Sequence, residues 1–156
     1  TRFLIKLSSN VEASDEQVIG SYFHVLNDLE RIGDHAENFF DIATEMSGKK
    51  LAFSAIGQAD MKTMSNQVMQ MLTISKDAFD TLNKDGLEEL AALEDQIDDM
   101  KRDFTSAHFA RLAEGQCSMA VSPYYASAIA GMERVADHLV NVGYSIVNPV
   151  GSTKEV

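Results

Sequence analysis

Tryptophan is absent from this chain of 156 residues, cysteine occurs once and proline twice. The lone Cys117 excludes an internal disulfide and any zinc site built from paired thiolates, and it accords with a reducing compartment. Two prolines and nine glycines leave long stretches of Leu, Ala, Met, Glu, Asp and Lys without a breaker, which disfavours many short strands and points to an all-α fold. No apolar run approaches the roughly 20 residues that span a bilayer, and no signal-peptide pattern opens the chain, so direct membrane insertion is not expected. Basic side chains are scarce too: 13 Lys and Arg stand against 24 Asp and Glu, a formal net charge of −11. Such a surface repels a nucleic-acid backbone unless a basic patch offsets it, and the sequence holds no such patch. Cations or a basic protein suit it better. Also missing are a Gly-rich phosphate loop ending in Lys and Ser/Thr, a Gly-x-Ser-x-Gly elbow and a His-Glu-x-x-His helix, so the chain is not expected to be an enzyme.

What is present is 45% apolar side chains, enough for one compact domain. Ser14, followed by Asp15, Glu16 and Gln17, reads as a capping box opening a helix that Gly48 closes. Its buried face is expected to carry Val25, Leu26, Leu29, Ile32, Ala36, Phe39, Phe40 and Ala43. Ser54 caps a second helix to about Asn83, with Ile56, Met61, Met64, Val68, Met71, Leu72, Ser75 and Phe79 inward. A third runs from about Leu87 to Glu114 on Leu90, Leu93, Ile97, Met100, Phe104 and Ala107. The fourth starts between Ser118 and Ser122-Pro123, a cap followed by a first-turn proline, and ends before Pro149. The methionines in these stripes read as packing. The last three helices, with short turns between them, predict an up-down-up three-helix bundle. The chain begins at Thr1 without a methionine, and the apolar and basic stretch from Phe3 to Leu7 reads as an element already under way, so the chain is expected to be an excerpt. The predicted organisation is the C-terminal part of a first helical repeat over residues 1–50, a complete bundle over 51–150 and a mobile tail over 151–156. The first long helix cannot cover its own apolar face, so either a homo-oligomer of the fragment or docking on the bundle is expected.

An internal repeat carries the chemistry. Glu30-Arg31-Ile32-Gly33-Asp34-His35-Ala36-Glu37-Asn38 returns as Glu133-Arg134-Val135-Ala136-Asp137-His138-Leu139-Val140-Asn141, with Glu, Arg, Asp, His and Asn in register. Residues four apart share a helix face, so Glu30, Asp34 and Asn38 form one stripe and Glu133, Asp137 and Asn141 another. Like charges at this spacing cost an isolated helix roughly 0.2 to 0.5 kcal/mol per pair, a penalty that a bound cation removes. The third helix supplies a matching pair, Glu94 and Asp98, around the inward Ile97, and an antiparallel bundle can set it opposite Glu133 and Asp137. Asp95 and Asp99 fall further round and are assigned to solvent. His35 and His138 leave the acidic stripe and are expected to bond a neighbouring helix or orient a carboxylate, while His108 reads as a satisfied, partly buried side chain. The bland alternative is a solvated acidic face paired with Arg31 and Arg134. The spacing differs from the Glu-x-x-His of di-iron oxidases, which disfavours that chemistry.

The stretch Leu29 to Asn38, Leu-Glu-Arg-Ile-Gly-Asp-His-Ala-Glu-Asn, resembles the signature of the PhoU family of phosphate-signalling proteins. The resemblance implies tandem three-helix bundles whose Glu/Asp-x-x-x-Asp motifs bind multinuclear iron or other metal ions. Carried onto this chain, it implies metal ligands at Glu30 and Asp34, Glu94 and Asp98, and Glu133 and Asp137. The counterpart of Glu94 and Asp98 in the first bundle would then precede Thr1. All-carboxylate ligands favour hard cations, with iron first on the resemblance and manganese, magnesium, zinc or nickel as alternatives. The segment from Leu4 to Asn38, with Lys6-Leu7-Ser8-Ser9, further resembles the PhoU-like C-terminal region of bacterial sodium-dependent phosphate cotransporters. That implies a regulatory cytoplasmic domain at the inner face of the plasma membrane, its partner being the transporter's membrane domain. A free-standing regulator with a phosphate-signalling partner is the other form the resemblance allows. The readings from other classes are a helical carboxylate di-metal enzyme and a metal-free helical adaptor.

Overall fold

The computed structural model describes residues 5–6 and 13–147. The predicted tail over 151–156 and the side chains of the Ser14 and Gln17 capping box lie outside the described residues. Helix α1 spans Ala13–Gly48, α2 Ala55–Thr81, α3 Leu87–Ala113 and α4 Ser122–Tyr144, with a 3-10 turn at Met119–Val121 before α4. The fold is all-helical, as the scarcity of breakers predicts.

Local chemistry sets the helix ends. Ser54 Oγ accepts from the Gly57 N–H at 3.2 Å, the expected N-cap of α2. At the other end the chain leaves α2 through Leu82, which holds a left-handed φ of 56° where glycine or asparagine is usual. Ser118, not Ser122, is the cap before α4: its hydroxyl accepts from the Ala120 N–H at 3.2 Å and opens the 3-10 turn. Ser122 already lies in the helix, and its hydroxyl meets His108 Nε2 at 3.0 Å.

Helices α2, α3 and α4 pack against one another with alternating direction. Gln70 reaches Glu89 and Gln67 reaches Leu93 across α2 and α3, while Lys101 meets Glu133 and His108 meets Ser122 across α3 and α4. Met64, Met71, Leu90, Ile97, Ile129 and Leu139 are fully buried between them. Close approach is needed at Gly143, where a Cβ would stand 2.5 Å from Leu90 Cδ2. Buried Ser75 donates its hydroxyl to the Leu139 carbonyl at 2.8 Å, so no polar group is stranded at this crossing.

Helix α1 lies antiparallel along α4. Its contact line is Val25, Ile32, Phe39 and Met46, a seven-residue spacing that keeps one narrow seam against its main partner. The ring of Phe39 occupies the space that a Cβ on Gly131 would fill, at 2.7 Å. Docking on the bundle is thus the outcome seen for the first helix. The broad face expected for it is corrected: Leu26, Leu29 and Phe40 remain 41%, 50% and 69% exposed, and Ala36 and Ala43 are exposed as well. Ile56, Leu72 and Ala107, expected inward, also face out.

Candidate functional site

On α3 the fully buried Ile97 has Glu94 one turn before it and Asp98 directly after; on α4 the fully buried Ala136 stands in the same relation to Glu133 and Asp137. Both acidic pairs therefore flank the line on which the two helices touch. One carboxylate oxygen from each of Glu94, Asp98 and Asp137 falls within 4.8 Å of the others. Glu94 and Glu133 are 5% and 9% exposed, and Asp98 and Asp137 are partly buried.

The electrostatics are those of crowded carboxylates. Burial, reinforced by Glu133 and Asp98, pushes the Asp137 carboxyl above its ordinary range, against the pull of Arg134 and a hydrogen bond with Glu94. Glu133 sits at the edge of the group. Its Oε1 takes the Lys101 ammonium at 2.8 Å, while its Oε2 is buried without a hydrogen-bond partner and has only Arg134 Nε, at 3.7 Å, nearby. An orphaned carboxylate oxygen in such a place costs roughly 1 to 3 kcal/mol or more. These residues fit a hard cation: the donors are oxygens, two of the carboxylates are buried, and one oxygen lacks a hydrogen-bond partner.

The histidines of the repeat do other work. His138 Nδ1 meets Asp28 Oδ1 at 2.8 Å, and Asn141 donates to the same oxygen at 3.3 Å. The rings of His35 and His138 lie 6.2 Å apart across the seam, and burial, then His138, lowers the proton affinity of His35. His138 thus ties α4 to α1 by the neighbouring-helix bond expected of it, while His35 meets it through the ring contact. His108 is buried against Tyr125, with ring centroids 4.3 Å apart, as expected for a satisfied histidine.

Glu30 and Asp34 do not join the cluster. Both are exposed on α1, and Asp34 meets Arg31 at 3.6 Å. The same motif has different surroundings in its two copies because α4 touches α1, α2 and α3, whereas among the described residues α1 has α4 as its one major neighbour. Residues two positions either side of Ile32 point away from that neighbour. Asp95 and Asp99 are exposed, as assigned.

Three features escaped the sequence reading. Asp28 precedes His35 by seven residues, so it shares the α1 seam, a signal that a heptad reading of α1 would have shown. Lys101 follows Glu94 by seven and is placed beside Glu133 only by the register of α3 on α4. At the far end of the bundle, Asp60 Oδ2 accepts from Arg111 at 3.0 Å and from the Tyr125 hydroxyl at 2.7 Å, locking α2 to α3 and α4. Nothing in the spacing of these three residues foretells their meeting.

The geometry defines an all-helical bundle with an oxygen-rich acidic seam between two of its helices. The PhoU domain profile matches residues 61–146, more than half of the chain and the whole of that seam. The chain belongs to the PhoU family. It is 25% identical over 155 residues to the phosphate-specific transport system accessory protein PhoU homolog 1 of Thermotoga maritima, covering 91% of this chain and 66% of that protein. It is 24% identical over 144 residues to the phosphate-specific transport system accessory protein PhoU homolog of Clostridium acetobutylicum, covering 92% of this chain and 64% of the relative. The chain thus spans slightly under two thirds of the length of these relatives. No solved structure matches it. Among the described residues no helix is long and apolar enough to cross a membrane.

Proposed function

We propose that this chain is a metal-binding regulatory domain for phosphate uptake, with Glu94, Asp98, Glu133 and Asp137 holding one or more hard cations between α3 and α4. The observation that carries the reading is the convergence of the Glu94, Asp98 and Asp137 oxygens within 4.8 Å, beside the buried Glu133. Its phosphate context is supported by the names of the relatives, both accessory proteins of a phosphate-specific transport system. Iron leads among the cations on family resemblance, ahead of manganese, magnesium, zinc and nickel. When bound, the cation supplies positive charge to which an anionic oxygen can bind in an otherwise acidic seam. The chain's own residues set the donor number and keep that seam partly dry. The fuller context proposed is the cytoplasmic part of a sodium-dependent phosphate cotransporter, at the inner face of the plasma membrane. Its partner is then the transporter's membrane domain; a phosphate-signalling protein is the partner if the regulator is free-standing. A homo-oligomer through the exposed Leu29 and Phe40 of α1 is read directly by sedimentation.

Elemental analysis of protein purified without added metal, followed by calorimetric titration with Mn2+, tests the central part of this reading. Binding in the absence of turnover on oxygen or phosphate esters supports it. Turnover would favour a helical di-metal enzyme, and no binding a metal-free adaptor. Glu30→Gln with Asp34→Asn is expected to leave the Mn2+ affinity within about twofold of wild type, because exposed charges outside the cluster are screened by solvent. A loss as large as that from changing Asp98 would place the α1 pair in the site.

A further inference from the structure

We infer that Lys101 is the site's internal counter-cation, and that a divalent cation must displace its ammonium from Glu133 to gain the fourth carboxylate. This rests on the metal-binding reading above. Lys101 lies on α3 three residues after Asp98 and seven after Glu94, on the same helix face as the acidic pair, and its side chain reaches across the helix seam, where its Nζ stands 2.8 Å from Glu133 Oε1. Arg134 is the other base near the group, but its contacts are longer, 3.7 Å to Glu133 and 4.0 Å to Asp137, and its side chain is 64% exposed. Of these two bases, Lys101 is the one that stands at hydrogen-bond length from a carboxylate oxygen of the group.

The exposures of the two partners differ in a way that suits displacement. The Lys101 side chain is 38% exposed and that of Glu133 is 12% exposed. The ammonium, a compact charge on a flexible stem, can withdraw into water, whereas the carboxylate is fixed in the seam and loses its partner when the lysine leaves. A cation arriving at that point replaces the lost partner and also reaches the unpartnered Oε2 of the same group. The exchange is selective by charge. A monovalent ion in place of the ammonium leaves the sum of charges in the seam unchanged, while a divalent ion adds one positive charge among mutually repelling carboxylates. Lys101 thus lowers affinity for every cation but keeps monovalent ions from competing for the site.

The test is calorimetric titration of the full chain with Mn2+ at two NaCl concentrations, for wild type, Lys101→Gln and Arg134→Gln. Lys101→Met, which keeps the apolar stem, serves if the glutamine variant does not fold. Lys101→Gln is expected to bind Mn2+ about tenfold more tightly and to lose more affinity with added NaCl than wild type does, while Arg134→Gln gains no more than about threefold. In the metal-free state Lys101→Gln melts below wild type, and Mn2+ reverses the order. Equal or weaker binding by Lys101→Gln overturns the inference while leaving the metal site standing, as does an equal gain in Arg134→Gln, which would make net charge alone the cause. If neither wild type nor Lys101→Gln binds Mn2+, the metal-binding reading fails and this inference with it.

Discussion

Changing Asp98→Asn together with Asp137→Asn is expected to weaken Mn2+ binding by at least roughly a hundredfold, since altering even the residues that merely orient metal ligands costs tenfold to a hundredfold. The metal-free chain should nevertheless be no less stable than wild type. Burial first, then Glu133 and Asp98, raises the Asp137 carboxyl above its ordinary range. An acid raised in this way favours the folded state below its unfolded value and loses that contribution as pH rises through the folded value. At neutral pH an ionised Asp137 is therefore a net cost to the metal-free chain, and asparagine removes it. Relief of one like-charge pair at helical spacing is worth about 0.2 to 0.5 kcal/mol. Thermal melts at neutral pH with chelator, and again with Mn2+, check both halves. An equal loss of stability under the two conditions would mean that these aspartates hold the bundle together and not a cation.

Ile97→Ala is expected to be the most damaging single truncation near the site. Ile97 is fully buried where α2, α3 and α4 meet, and large-to-small changes at such positions cost about 2 to 5 kcal/mol. Against a total stability of about 5 to 15 kcal/mol for a typical domain, the urea midpoint should fall steeply. Because Glu94 and Asp98 flank Ile97, relaxation of α3 into the cavity should also weaken Mn2+ binding, and saturating Mn2+ should recover part of the lost stability. Phe40→Ala provides the contrast, since Phe40 is 69% exposed and its removal should change stability by no more than about 0.5 kcal/mol. A large loss at Phe40, or none at Ile97, would contradict the packing described.

The contrast between these two positions shows what sequence alone can resolve. In α2, α3 and α4 each helix touches two or three others, so the apolar period translates into burial at Met64, Met71, Leu90 and Ile97 and misses at Ile56, Leu72 and Ala107. In α1 the same period overstates burial because one neighbour covers only a narrow line, and Leu26, Leu29 and Phe40 are left outside it. The acidic pair on α3 was legible because it flanks the inward Ile97, and the pair on α4 because it repeats a motif at the same four-residue spacing. Repetition of the motif in α1 was equally legible but says nothing about neighbours, and there Glu30 and Asp34 face outward. The heptad spacing of Asp28 and His35 places Asp28 on the α1 seam, but its partner, like that of Lys101, became visible only when the register between antiparallel helices was known, because a side chain's partner across a seam depends on a shift of a few residues that no periodicity fixes. The same holds for the cap before α4, where Ser118 and Ser122 are equally good candidates until His108 claims the hydroxyl of Ser122.

Anomalous X-ray diffraction from crystals grown with saturating Mn2+ tests the metal-binding claim most directly. The predicted result is an anomalous peak between α3 and α4 at bonding distance from carboxylate oxygens of Glu94, Asp98 and Asp137, with the Lys101 ammonium withdrawn from Glu133. A map without a peak at that position, in a structure where these carboxylates lie together as described, would contradict it.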